Sequence, residues 1–380
     1  FKQKPKEYMS TVLDYVVEGN ADVDWNLQDN KVRSWYHAPW MHQQREPIKG
    51  LTRERGSRWH ELSQNQTRRT NNWAVGFYNH NCGDAFGNVW QNKSRPNSSD
   101  AMFPVGTVSA KLLFTDATDE EAPYLKGNNL VWAADINGDG KPVNLRLLQM
   151  DIAIKEKEGV SVSGWVFGTF VFDGAKGSNL YWKNLVPVGL EWGNSTSHNW
   201  QDFVAGKKPI ESWVNPEVSD LERIRAPDGR MGYLGSMNGP VDNPLSSCMS
   251  CHSRAIDTRG DNGPAFTASD KDLCIQTATT ENGNQSYKRI PSCTVNENAI
   301  SHFYRNLKSN EPFLPGYNSL DYSLQMALGI ANWGRWKKEK FPELDAMVKP
   351  ANKSLFSLKN KTKNTEIPTI PATDAFHRGD

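Results

Sequence analysis

Two thiols and an imidazole stand close together at Cys248-Met249-Ser250-Cys251-His252. Thiols at this C-x-x-C spacing can each add to one vinyl group of a single porphyrin. The imidazole of the next residue is then held beneath the iron. In this reading Cys248 and Cys251 carry two thioether links and His252 is the proximal iron ligand. The pattern occurs once, so one covalent haem c is expected, a group that carries one-electron and oxygen chemistry. A bare C-x-x-C has two other uses, a redox dithiol and half of a zinc site. Cys274 and Cys293 would complete a four-thiolate zinc set, but they are 19 residues apart rather than in a second close pair. No βαβ pattern surrounds the motif, as a thioredoxin-like dithiol would require.

The position opposite His252 decides what the iron does. A methionine there occupies both faces and leaves electron transfer, whereas an open face admits small molecules. Met326 follows His252 by 74 residues on a predicted helix and is the first methionine to consider as distal ligand. Met347 lies beyond it, and Met231 and Met237 precede the motif in a Gly-rich stretch. Core packing is the ordinary use of each. His198 and His302 are the histidine alternatives. A peroxidase would need a distal base and a distal charge; His198, Arg223 and Arg225 are available, but no spacing selects them.

Two further patterns bear on chemistry. The stretch between Cys274 and Cys293 is polar and poor in core-forming residues. A disulfide between these two cysteines would stabilise such a loop by about 3 kcal/mol in the chain-entropy model. Cys82 then stays unpaired. Asp135-x-Asn137-x-Asp139-Gly140 matches the first half of an EF-hand loop, but Arg146 stands where the bidentate Glu should be. The stretch lies between two predicted strands, so it reads as a hairpin turn and calcium is not expected.

The elements that must position these groups fall into three parts. Residues 1–100 are rich in Trp, Asn, Arg and His, show no sustained strand alternation, and predict one helix near 5–18. Residues 101–260 form a β-rich core that ends in the C-x-x-C-H. Its strands are expected at 108–114, 130–136, 145–154 and 164–173, with 185–193 as an edge strand because of Pro187. Their close succession predicts antiparallel pairing. Residues 261–380 predict helices at 297–309 and 319–341, the second broken near Gly329 and Gly334, and then an extended polar tail. A further helix is predicted over 219–226, capped by Ser219. The fold class is therefore α+β, an antiparallel sheet followed by a helical, loop-rich region that carries the haem motif.

Composition removes several classes. The 380 residues carry 44 basic and 43 acidic side chains, a net charge of +1, which gives no electrostatic case for a nucleic-acid partner. No apolar run reaches the roughly 18 residues of a membrane helix. The chain begins at Phe1 rather than Met, which fits removal of a leader, and covalent haem is attached outside the bacterial cytoplasm. A periplasmic or secreted protein is expected. The 14 Trp read first as core and as haem shielding.

The order of elements resembles the cytochrome P460 family over residues 101–260. The matching stretches are FPVGTVSAKLLFT (103–115), GWVFGTFVFDG (164–174) and SSCMSCHSRA (246–255). The resemblance implies an antiparallel sheet packed with helices, a five-coordinate haem with an open distal pocket, and oxidation of hydroxylamine or related nitrogen oxides. It also implies a lysine cross-linked to the porphyrin, and Lys111 holds the matching position. The plain alternative for Lys111 is a solvent-facing strand residue. The chain is longer than the family pattern and carries an insertion at 175–245. Two functions are expected: a mono-haem c-type cytochrome passing single electrons to a redox partner protein or small redox molecule, or a haem enzyme with an open iron face.

Overall fold

β-branched and aromatic runs bounded by turn residues set the architecture. A computed structural model describes residues 1–41, 45–157, 161–218, 231–259, 263–279, 285–343 and 369–370. The strands of the main sheet are β1 (Trp35–Tyr36), β2 (Thr52–Ser57), β3 (Thr70–Asn79), β4 (Val108–Thr115), β5 (Val131–Ala134), β6 (Val143–Lys155), β7 (Trp165–Phe172), β8 (Leu185–Glu191) and β9 (Ser212–Val214). They form one antiparallel sheet in the order β1-β3-β4-β6-β7-β8-β9, with β2 also on β3 and β5 also on β6. The helices are α1 (Pro5–Val17), α2 (His80–Val89), α3 (Trp200–Val204), α4 (Cys248–His252), α5 (Asp270–Leu273), α6 (Glu297–Phe303) and α7 (Leu324–Lys340). The fold is α+β: the sheet comes first along the chain, and the helices and loops that carry the C-x-x-C-H follow it. Every residue of β7 is buried, so both faces of the sheet are covered there.

Three expectations need correction. The first hundred residues supply β2 and β3, not only helix and loop. The ten-residue β3 escaped the sequence reading because its buried Asn72 reads as polar. In the fold the Asn72 amide donates to Arg55 O (2.9 Å) and Ser57 Oγ (2.8 Å). Strand β8 is not an edge, since β9 pairs with it at Gly189–Glu191. Pro187 is tolerated because β9 ends before it and β7 bulges opposite it, between Thr169 and Phe170. Helix α7 is continuous through both glycines and starts only at Leu324, with Ser323 as its cap. The predicted helix at 219–226, Arg223, Arg225 and Met347 lie outside the described residues, as does the tail apart from Thr369–Ile370.

Other expectations stand as observed features. Helix α1 spans Pro5–Val17 and buries Met9, Leu13 and Val16. The Asp135 segment is a hairpin turn between β5 and β6, its carboxylate accepting the N–H of Asp139 (3.1 Å) and Gly140 (3.0 Å). Trp25, Trp35, Trp132, Trp165, Trp192 and Trp333 are buried.

Gly329 explains why α7 runs unbroken where a break was expected. A Cβ there would meet Pro39 O at 2.7 Å, so the missing side chain lets the helix lie directly on the 38–41 segment. Gly329→Ala is therefore expected to destabilise the fold by about 1–3 kcal/mol by overpacking, against the gain in helix propensity that alanine brings. Urea unfolding checks this: the midpoint falls, whereas a helix limited by propensity would give a rise.

Candidate functional site

Strand register explains why residues far apart in sequence share one wall. Gly76, Lys111, Asp151, Thr169 and Gly189 are direct cross-strand neighbours on β3, β4, β6, β7 and β8. Tyr78, Ser109, Ala153, Phe167 and Glu191 form the next row on the same face. Helix α4 docks on this second row. It is a single turn closed by a capping box between Ser247 and Ser250, and the Met249 N–H donates to the buried Glu191 carboxyl (2.7 Å). Burial pushes the Glu191 carboxyl well above the usual range, opposed by its bonds from Met249 N–H and Ser247. Cys248, Cys251, His252 and Lys111 all line one cavity of about 260 Å³ above the sheet.

The imidazole is fixed in both orientation and tautomer. Its ring packs on Phe167 with centroids 4.3 Å apart, and Nδ1 lies 2.9 Å from the Tyr322 carbonyl. A carbonyl only accepts, so Nδ1 carries the proton and Nε2 keeps its lone pair. Burial lowers the His252 pKa to about 4, so the ring is neutral near pH 7. Burial also pushes both Cys248 and Cys251 thiols up, so they are held protonated.

The Tyr322 carbonyl is itself held by a strained turn. Asp321 (φ 46°) and Tyr322 (φ 66°) are both left-handed without being glycine. The Asp321 carboxylate, 1% exposed, pairs with Lys155 Nζ (2.8 Å) and accepts from Trp165 Nε1 (2.8 Å) and Phe103 N–H (2.9 Å). Lys155 Nζ also donates to Ser163 O (2.9 Å) and to the Ser309 hydroxyl. On the other flank, Leu320 N–H donates to Ala255 O (2.9 Å), which ties this turn to the segment that follows the C-x-x-C-H.

Across the cavity, Lys111 lines the same space and is partly buried there. Its Nζ lies 3.3 Å from Asp151 Oδ2, and Asp151 accepts from Thr169 Oγ1 (2.8 Å) and Gln149 Nε2 (2.9 Å). Burial lowers the Lys111 pKa, but Glu54, Asp151 and Asp242 outweigh it and hold the ammonium above its ordinary value. Glu54 and Asp242 line the same cavity, and burial raises both carboxyls. The wall facing the motif is thus a cation held among three carboxyl groups.

The remaining sequence candidates lie elsewhere. Met326 is fully buried in the core near the start of α7 and does not line the cavity. Met237 meets the Cys248 sulfur at 3.5 Å. His198 Nε2 donates to Leu234 O (3.2 Å), and His302 Nδ1 accepts from Arg305 (2.9 Å). None of the described cavity-lining residues is a methionine or a second histidine. Cys274 and Cys293 form a disulfide, which removes them from any four-thiolate zinc set. Among the described residues no group of three or more His, Cys, Asp or Glu is arranged to hold a metal ion. No described helix is long and apolar enough to cross a membrane.

Sequence reasoning missed Glu54, Asp151, Asp242 and Tyr322. Asp151 left one signal, a lone acid inside the apolar run LRLLQMDIAI. Glu54 lies on β2, a strand hidden by its polar residues, Asp242 comes from a loop, and Tyr322 acts through its backbone carbonyl. The protonated thiols and the tautomer-fixed imidazole on one wall of one cavity fit a covalently attached haem. No family model, curated protein or solved structure matches this chain.

Removing the acid from the buried pair is expected to be severe. Asp321→Ala leaves the Lys155 ammonium buried and uncompensated and costs about 3–5 kcal/mol. The double variant Lys155→Met with Asp321→Leu is expected to lose clearly less. Chemical denaturation of the two variants side by side measures the difference.

Proposed function

We propose that the chain is a mono-haem c protein whose iron keeps an open face toward Lys111, and that it performs redox chemistry on a small nitrogen compound such as hydroxylamine or a nitrogen oxide. The observation that carries this reading is that the C-x-x-C-H and Lys111 line one cavity while no described methionine does. The group supplies one-electron redox chemistry and a binding position for a small ligand when bound. Cys248 and Cys251 supply the sulfurs for attachment, and His252 supplies Nε2.

The chain's own residues do the rest. The Tyr322 carbonyl orients the imidazole and strengthens its donor nitrogen through the Nδ1–H bond. On the opposite wall Asp151, fixed by Thr169 and Gln149, holds the Lys111 ammonium in place. That cation favours anionic or polar small molecules in an enclosed space where charge interactions are strong. Glu54 and Asp242, with carboxyls raised by burial, are suited to hold protons at their oxygens and to exchange them with a substrate. The resemblance to cytochrome P460 adds a second use for Lys111, a covalent bond to the porphyrin edge. A compartment outside the cytoplasm suits a chain that carries both a disulfide and a covalent haem. A redox partner protein or small redox molecule would carry the electrons away.

Pure electron transfer is the second reading. It requires a second iron ligand, and no described cavity-lining residue is a methionine or a second histidine.

The experiment is spectroscopic and mass-spectrometric. Pyridine haemochrome should give one c-type haem per chain, and the ferric protein should be high-spin and bind cyanide or nitric oxide. A low-spin ferric iron with a methionine charge-transfer band would give preference to electron transfer; absence of haem would end both readings. Lys111→Met is expected to leave haem content unchanged and to lower turnover of hydroxylamine about 10²-fold. Digests of the wild-type protein settle the use of Lys111: a Lys111 peptide joined to the haem peptide means a cross-link, and a free one means an ammonium.

A further inference from the structure

We propose that Arg254 is a binding site for a small planar oxyanion of the carboxylate class. Arg254 is 3% exposed, and none of its three guanidinium nitrogens reaches an oxygen or nitrogen acceptor; the Cys251 sulfur, a weak acceptor, is the polar atom it meets. It follows α4 by two residues, and its guanidinium lies over the Phe266 ring at 4.5 Å from the centroid. Together with Ile256, Thr258, Leu324 and Ala327 it lines a second cavity of about 50 Å³, whose wall is otherwise almost wholly apolar.

No protein anion stands beside it. The titratable neighbours that act on Arg254 are Cys251 and Tyr304. Neither is a carboxylate, and the Tyr304 hydroxyl donates to Leu245 O (2.6 Å). A buried cation without an acceptor is far more costly than a buried neutral polar group. An anion with two coplanar oxygens matches the guanidinium fork and removes that cost. The cavity exceeds the roughly 10–15 Å³ that one water needs, so it admits a group of a few atoms, such as formate or nitrite, or the end of a longer carboxylate.

Phe266 and Leu324 line both this cavity and the larger one. The carboxylate therefore has two sources: a free small anion, or a propionate of a haem held next door. The second source rests on the function proposed above; the first does not.

Thermal unfolding of the purified protein, with sodium formate exchanged for sodium chloride at constant ionic strength, tests the site in wild type, Arg254→Met and Arg254→Lys. A free anion predicts a saturable rise in the wild-type Tm with formate, weakened in the Lys variant and absent in the Met variant. Without formate the Met variant should be at least as stable as wild type, because it no longer buries an unpaired charge. A propionate source predicts a wild type indifferent to formate. The Met variant then gains a pH dependence of the iron reduction potential that wild type and the Lys variant lack. The proposal is overturned if formate acts on all three proteins alike and the potentials follow one pH profile. In protein without haem, indifference to formate alone overturns it.

Discussion

The Lys155–Asp321 pair is the contact on which the arrangement around His252 depends. A left-handed tyrosine has no intrinsic reason to persist, and a left-handed aspartate beside it makes the turn costlier still. The turn exists because the Asp321 carboxylate is gripped from three directions: an ammonium from β6, an indole N–H from β7 and a backbone N–H from Phe103. Two of these donors belong to the sheet. The sheet therefore dictates where the Tyr322 carbonyl points, and that carbonyl dictates which imidazole nitrogen is free. Desolvating two charges is expensive, but here each charge has further hydrogen bonds, the condition under which a buried pair can hold a defined geometry.

The same sheet supplies the opposite wall. A strand presents every second residue to one face, so β4, β6 and β7 deliver Lys111, Asp151 and Thr169 as a row without any loop to order. Ser109 and Ala153, small residues in the next row, leave space above the floor. A one-residue slip of β4 against β6 would turn Lys111 to the other face and close the site. Rigid strands on one side and one short capped helix on the other give a cavity whose two walls are both referenced to the sheet.

How far this was legible in sequence follows from the range of each interaction. The C-x-x-C-H is local, and its two thiols and imidazole are visible without a fold. The antiparallel strands from Val108 to Glu191 were legible because apolar runs and turn residues alternate there. Strand β3 was hidden because its buried Asn72 finds partners for its amide on β2, a pairing no local window contains. The turn at Asp321–Tyr322 was illegible for a stronger reason: its residue types argue against its conformation. Arg254 looks like any surface arginine in the sequence, and only its burial sets it apart. Lys111 was reached through resemblance, and its surroundings of carboxyl groups came from three separate segments.

The chain also has to keep two kinds of sulfur apart. Cys274 is joined to Cys293, while Cys82, Cys248 and Cys251 are free. Exchange between a thiol and a disulfide proceeds through the thiolate, and burial raises all three free thiols. The folded scaffold therefore acts as a kinetic insulator. Once the polypeptide has closed around its first crosslink, the remaining sulfurs are too poorly ionised to scramble it, and they stay reduced for whatever electrophile enters the chamber beside them.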